Sequence, residues 1–102
     1  MVRTPAEQQA AQEIAGNLCL YYFATCPYCL RVRRTIDRLH VDIALRDIHR
    51  DPVACRELVN GGGRRTVPCL RIDAEGRLTW LYESTDIVHY LKQRFANIGS
   101  VA

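Results

Sequence analysis

Apolar residues change their spacing several times along the chain, and each change marks an element. Near the N-terminus an Ala- and Gln-rich stretch follows Thr4-Pro5, with Glu7 three residues after Thr4. This is the pattern of a capping box with proline at the first helical position, and Gly16 can close the helix it opens. Ile14 is the only large apolar side chain in that stretch, so the helix is expected to dock weakly or to stand as an appendage. Residues 18–24, LCLYYFA, form an unbroken apolar and aromatic run. The run predicts a central strand buried on both faces and ending at Thr25. From Pro27 the spacing becomes three and four: Cys29, Val32, Ile36 and Leu39 share one side, while Arg31, Arg33, Arg34 and Arg38 fall largely on the other. An amphipathic helix of about three turns follows from that spacing.

Residues 41–48 alternate as a second strand would, with Val41, Ile43 and Leu45 set against Asp42, Arg46 and Asp47. Asp51-Pro52 supplies a cap and an opener for a helix reaching Val59, and Gly61-Gly62-Gly63 then breaks the chain. Residues 69–72 and 78–82 read as two strands joined by the turn Asp73-Ala74-Glu75-Gly76, and Ser84 caps a last helix with Ile87, Val88, Leu91 and Phe95 facing inward. The order is helix, strand-helix-strand, helix, hairpin, helix. It implies a right-handed parallel pair extended by antiparallel strands, hence an α/β fold with a four-stranded mixed sheet and helices on both faces.

At 102 residues the chain is the size of one domain, and 48% hydrophobic with 25% charged residues is an ordinary globular balance. The formal net charge of +3 is spread along the sequence, which argues against nucleic acid as a partner. The longest apolar run is far too short to span a bilayer. The first seventeen residues carry Arg3, Glu7 and Glu13 without an apolar signal core, and five cysteines is an odd set for an extracellular scaffold. A reducing, cytoplasmic setting is expected. There a Cys-x-x-Cys pair points to redox chemistry or metal, and lone cysteines are mostly small buried hydrophobes. Cys19 and Cys69 fit that description; Cys55, on a short helix, is the one cysteine to flag for reactivity, although a bland half-exposed thiol is the plainer reading.

The chemistry concentrates in Cys26-Pro27-Tyr28-Cys29, where the first strand hands over to its helix. Disulfide exchange uses a thiolate both as nucleophile and as leaving group, so the site must stabilise negative charge. Unpaired backbone N–H groups and the positive end of the helix dipole do so at Cys26, while Cys29 lies one turn inside and within disulfide reach. Cys26 is expected to attack and Cys29 to resolve. A structural zinc half-site would need two more ligands at matching spacing, and Cys55, Cys69, His40, His49 and His89 are scattered. No metal ligand set is assigned.

CPYC after an apolar strand, then TVP at Thr66 to Pro68, then YESTDIVHYL at Tyr82 to Leu91 resembles a glutaredoxin of the thioredoxin fold, CPYC dithiol type. The match covers about residues 18–95, and ATCPYCLRVRR with ESTDIVHYL looks closest to the branch similar to glutathione transferase N-terminal domains. The resemblance divides the chain into an N-terminal helical extension (1–17), a glutaredoxin-like domain (18–96) and a short tail (97–102). It makes Pro68 the cis-proline beside the active cysteines, with the Val67 backbone pairing with the cysteinyl part of glutathione. Glu83, Ser84, Thr85 and Asp86 match the segment that holds the γ-glutamyl end: a helix N-terminus offers N–H groups to the α-carboxylate, and Asp86 can pair with the α-ammonium. Helix capping is the plainer role for Ser84 and Asp86. Arg65, beside Thr66, holds a basic position of the family's loop facing the glycyl carboxylate, although Arg64 and Arg65 are both candidates for solvated loop residues. Tyr28 would form a wall of the groove. Where many glutaredoxins carry Lys, three residues before the first active cysteine, this chain has Phe23.

The function implied is a glutathione-dependent thiol-disulfide oxidoreductase acting as a monomer on disulfide or glutathionylated client proteins. Glutathione is its cosubstrate, and no tightly bound cofactor is implied. Two alternatives stand beside it: a dimer ligating a 2Fe-2S cluster through Cys26 and two glutathiones, which Pro27 disfavours by stiffening the motif, and a non-catalytic glutathione-binding module, motivated by Phe23.

Overall fold

The computed structural model describes residues 3–96 and residue 98. Its elements are α1 (Pro5–Ala15), β1 (Leu18–Tyr22), α2 (Pro27–Leu39), β2 (Ala44–Asp47), α3 (Pro52–Glu57), β3 (Cys69–Ala74), β4 (Arg77–Leu81) and α4 (Ser84–Phe95). A π-helical turn, Leu58–Gly62, continues α3. The strands lie in the order β2-β1-β3-β4, with β1 and β2 parallel and the other pairs antiparallel. This is the thioredoxin fold. The six-residue tail lies outside the described residues apart from Ile98.

Two apolar layers sandwich the sheet, and strand alternation sorts residues between them. Leu18 and Leu20 of β1, with Leu70 and Ile72 of β3, face α1, α2 and α4, where Val32, Ile36, Ile87, Leu91 and Phe95 fill the larger cluster. Cys19, Tyr21 and Cys69 face the other way, against Ile48, Ala54, Leu58 and Tyr82. On that second face the Tyr21 hydroxyl donates to Glu57 Oε1 and accepts from Arg71 Nη1, each at 3.0 Å. Arg46 bridges Asp51 and Glu57 at 3.2 and 3.3 Å, so α3 is tied to β1 and β2 by charge as well as by burial. No helix among the described residues is long and apolar enough to cross a membrane.

Four details differ from the reading of the sequence. Helix α1 is built into the core, because Ala11 and Ala15 are fully buried in the larger cluster. Small side chains let this helix approach closely, and Gln12 exchanges two hydrogen bonds with the Asp42 backbone, both 2.9 Å. Strand β2 begins only at Ala44 and lies at the sheet edge, so Val41 and Ile43 are buried from the loop before it while Leu45 is 43% exposed. The hairpin turn is the two residues Glu75-Gly76, both at positive φ, which matches strand twist better than a wider loop. Ser84 is the first helical residue of α4, and Glu83 holds the cap position without a side-chain capping bond.

Candidate active site

Three segments leave the sheet at the same end. β1 runs antiparallel to β3 with Tyr21 opposite Cys69, and β3 runs antiparallel to β4 with Leu70 opposite Leu81. The chain after β1, before β3 and after β4 therefore converges, which brings together residues 26–29, 64–68 and 83–86.

Cys26 is the N-cap of α2, with extended backbone angles (φ −77°, ψ 117°), and its Sγ accepts from the Cys29 N–H at 3.3 Å. Pro27 at the first helical position has no N–H to satisfy, and the Cys29 N–H of the first turn is the donor that reaches the sulfur. Cys29 is fully buried. Burial, reinforced by its hydrogen bond with Cys26, pushes the Cys29 thiol up to about 12, against smaller opposing effects of the Phe23 backbone and Arg33. Cys29 thus stays protonated at neutral pH. Tyr28 projects outward, 64% exposed.

The Val67–Pro68 peptide is cis, with Pro68 buried, Val67 half-buried and Arg65 and Thr66 exposed. What holds this loop is Tyr82. Its hydroxyl donates to the Arg64 carbonyl at 3.0 Å and accepts from the Arg64 N–H at 3.2 Å, and the Arg64 guanidinium sits 4.4 Å from the ring centroid. Burial raises the Tyr82 phenol above its ordinary value. Both arginines are exposed, but Arg64 is engaged on Tyr82, and among the described residues no such contact holds Arg65.

On α4, Glu83, Thr85 and Asp86 are exposed and Ser84 is half-buried. Thr85 Oγ1 accepts from Arg31 Nη1 at 3.4 Å, a direct tie between the helix carrying the cysteines and the N-terminus of α4. Among the described residues no hydrogen bond or ion pair engages the Asp86 carboxylate, which lies in the first turn of α4. Phe23 stacks on His49 with centroids 4.3 Å apart and planes within 8°; at this position the side chain packs against the second apolar layer.

Of the other cysteines, Cys19 and Cys69 are core residues. Burial raises both thiols, that of Cys69 to about 12. Cys55 is half-buried on α3. His89 is exposed on α4.

Sequence reasoning missed Tyr82 as the loop anchor and Arg31 as the α2–α4 link. It also read the glycine triplet only as a break. A Cβ on Gly61 would collide with the Trp80 indole and one on Gly62 with the Tyr82 phenol, so these glycines allow the close approach that seats Tyr82 under the loop. Two aromatics two residues apart, Trp80 and Tyr82, were the available signal.

A family model described as the glutathione S-transferase N-terminal domain matches residues 20–98. No curated protein matches the chain. Among solved structures, maleylacetoacetate isomerase from Anaeromyxobacter dehalogenans 2CP-1, with GSH bound in its active site, superposes with a TM-score of 0.61 at 24% identity, covering 79% of this chain and 38% of that one. Wheat glutaredoxin superposes with a TM-score of 0.60 at 19% identity over 95% of this chain and 97% of its own. A Tau-class glutathione S-transferase from mango, Mangifera indica, gives 0.62 at 23% identity over 82% and 36%. At such identities the likeness is one of fold, and the chain spans little more than a third of the length of the isomerase and the transferase. With the family model covering more than half of its residues, the chain belongs to the glutathione S-transferase N-terminal domain family.

Proposed function

We propose that this chain is a glutathione-dependent thiol-disulfide oxidoreductase of glutaredoxin type, working in a reducing compartment on glutathionylated proteins or protein disulfides. The observation that carries the reading is the asymmetry of the two thiols. Both are buried, Cys26 at 5% exposure and Cys29 at none, but Cys26 sits at the N-cap of α2 with its sulfur accepting the Cys29 N–H, while Cys29 lies inside the helix and is held protonated. The Cys26 thiolate attacks the glutathione sulfur of a mixed disulfide. A Cys26–glutathione disulfide forms, the client–sulfur bond breaks, and the client leaves as a thiolate that takes up a proton. A second glutathione thiolate then attacks the bound glutathione sulfur, giving glutathione disulfide and restoring Cys26. The two electrons that reduce the client come from two glutathiones. For a protein disulfide, Cys29 instead gives up its proton and attacks the Cys26 sulfur, so that a Cys26–Cys29 disulfide forms as the Cys26–client bond breaks and the client leaves as a thiolate. Two glutathiones then reduce that disulfide and leave as glutathione disulfide.

In this reading glutathione lies across the converging segments. The Val67 backbone pairs with its cysteinyl part, and the exposed Arg65 and Thr66 flank the glycyl end. The α4 N-terminus at Ser84 and Thr85 takes the γ-glutamyl carboxylate, the unengaged Asp86 takes the ammonium, Glu83 borders that end and Tyr28 forms the outer wall. The relatives add support, since the isomerase structure holds GSH in its active site. Glutathione-coupled reduction of a mixed disulfide by wild type, Cys26→Ser and Cys29→Ser tests it. Cys26→Ser should be inactive and Cys29→Ser should retain turnover; equal loss in both would exclude the route through Cys26 alone. A visible absorption band in the purified protein would instead favour cluster binding.

A further inference from the structure

Between α2 and α4 the surface opens into a groove of about 470 Å³. Four cations line it, Arg31, Arg34 and Arg38 on α2 and Lys92 on α4, and no acidic side chain does. The three arginines recur at spacings of three and four, which sets them on one side of the helix over about two turns. Leu30, 42% exposed, and Val88 contribute apolar surface between them. The four charges outweigh the formal net charge of the whole chain, +3. They also repel one another: Arg34 and Arg38, one turn apart, lower the stability of a bare helix. Pro27, the neighbour of Cys26, borders the groove, so the groove starts beside the reacting thiol and runs away from it along α2.

We propose that this groove docks an acidic segment of the client protein, one that flanks the client's disulfide or glutathionylated cysteine. The proposal rests on the thiol-disulfide reading of Cys26 and adds the class of client that reading leaves open. A cationic groove of this kind raises the local concentration of an anionic partner and steers its encounter. A polypeptide fits better than a nucleic acid, because no aromatic side chain lines the groove for base stacking, while Leu30 and Val88 suit apolar side chains interleaved with carboxylates.

The test uses the full chain and two fluorescent peptides sharing one cysteine, followed in one by Asp and Glu and in the other by Asn and Gln. Each is also prepared as its glutathione mixed disulfide. Anisotropy reads binding without any redox step, and the acidic peptide should bind about tenfold more tightly at low salt, the combined size of four exposed ion pairs. That advantage should vanish near 1 M salt, where the screening length is about 3 Å. The ratio of kcat/KM for the two mixed disulfides should follow the same pattern. Arg34→Glu with Arg38→Glu should erase the preference in both readouts and leave turnover of the neutral mixed disulfide at the wild-type level. The milder Arg34→Gln with Arg38→Gln should lose part of it, and a thermal melt checks that each variant folds. Equal binding of the two peptides by wild type overturns the docking site, whatever the turnover. Selective binding of the acidic peptide with no turnover of either mixed disulfide supports the groove and sinks the redox reading instead. Tighter binding of a duplex oligonucleotide or of phosphatidylserine vesicles, lost in the same variant, overturns the polypeptide assignment.

Discussion

Replacing Tyr82 by Phe removes one oxygen and tests whether the 64–68 loop is held from below. The ring remains, so the Arg64 guanidinium 4.4 Å from its centroid keeps its partner, while the hydroxyl that lies nearest Gly62 is removed. What is lost is the pair of hydrogen bonds with the Arg64 backbone, 3.0 and 3.2 Å. Each net bond is worth about 0.5–1.5 kcal/mol, and because Arg64 is exposed water can replace the phenol, so the expected loss is about 1–2 kcal/mol. In a domain of this size that lowers Tm by roughly 4–8 °C for each kcal/mol. Urea denaturation measures the stability. The functional consequence follows from the loop's place in the proposed site: KM for a glutathione mixed disulfide should rise severalfold, while attack of Cys26 on hydroxyethyl disulfide stays near wild type. A variant with unchanged stability and unchanged KM would refute Tyr82 as the anchor.

Asp86→Asn should weaken use of glutathione mixed disulfides by about 1–3 kcal/mol, the range for a hydrogen bond to a charged group, and lower stability by less than about 1 kcal/mol through the helix dipole; equal kinetics would place Asp86 outside the site. Between neutral pH and about pH 9 the buried thiols leave stability unchanged, and it should fall as pH rises beyond that. Cys29 and Cys69 are pushed from 9.0 up to about 12 in the fold, so the unfolded chain sheds these protons first, and each thiol contributes a slope of up to about 1.4 kcal/mol per pH unit. Urea melts across that range check the fall, Cys69→Ala should make it shallower, and a level profile would contradict the burial argument. Gln12→Ala should lose about 1–3 kcal/mol, two backbone hydrogen bonds, although alanine is the better helix former; full stability in a melt would return α1 to the status of an appendage.

The central strand, the amphipathic α2 and the hairpin were legible because their signals are local. A continuous apolar run, a three-four spacing and a turn residue each act within a few positions. What escaped is what tertiary contact decides. Leu45 obeys the alternation with Val41 and Ile43, yet an edge position leaves it exposed. Ala11 and Ala15 are weak apolar signals that become core because small side chains let α1 come close. At the candidate site the segments themselves were legible as motifs, whereas the bonds joining them, Tyr82 to Arg64 and Arg31 to Thr85, span 18 and 54 residues, and no spacing rule reaches that far. The glycines at 61 and 62 were seen, but their purpose depends on aromatics that only the fold brings against them.

The central claim is that Cys26 is the thiol that carries glutathione, and trapping that species tests it most directly. Cys29→Ser protein is mixed with glutathione disulfide, quenched in acid, digested and mapped by mass spectrometry. The account predicts one glutathione per chain, on Cys26, released when free glutathione is added. An adduct on Cys55, no adduct at all, or the same adduct yield from Cys26→Ser would contradict it.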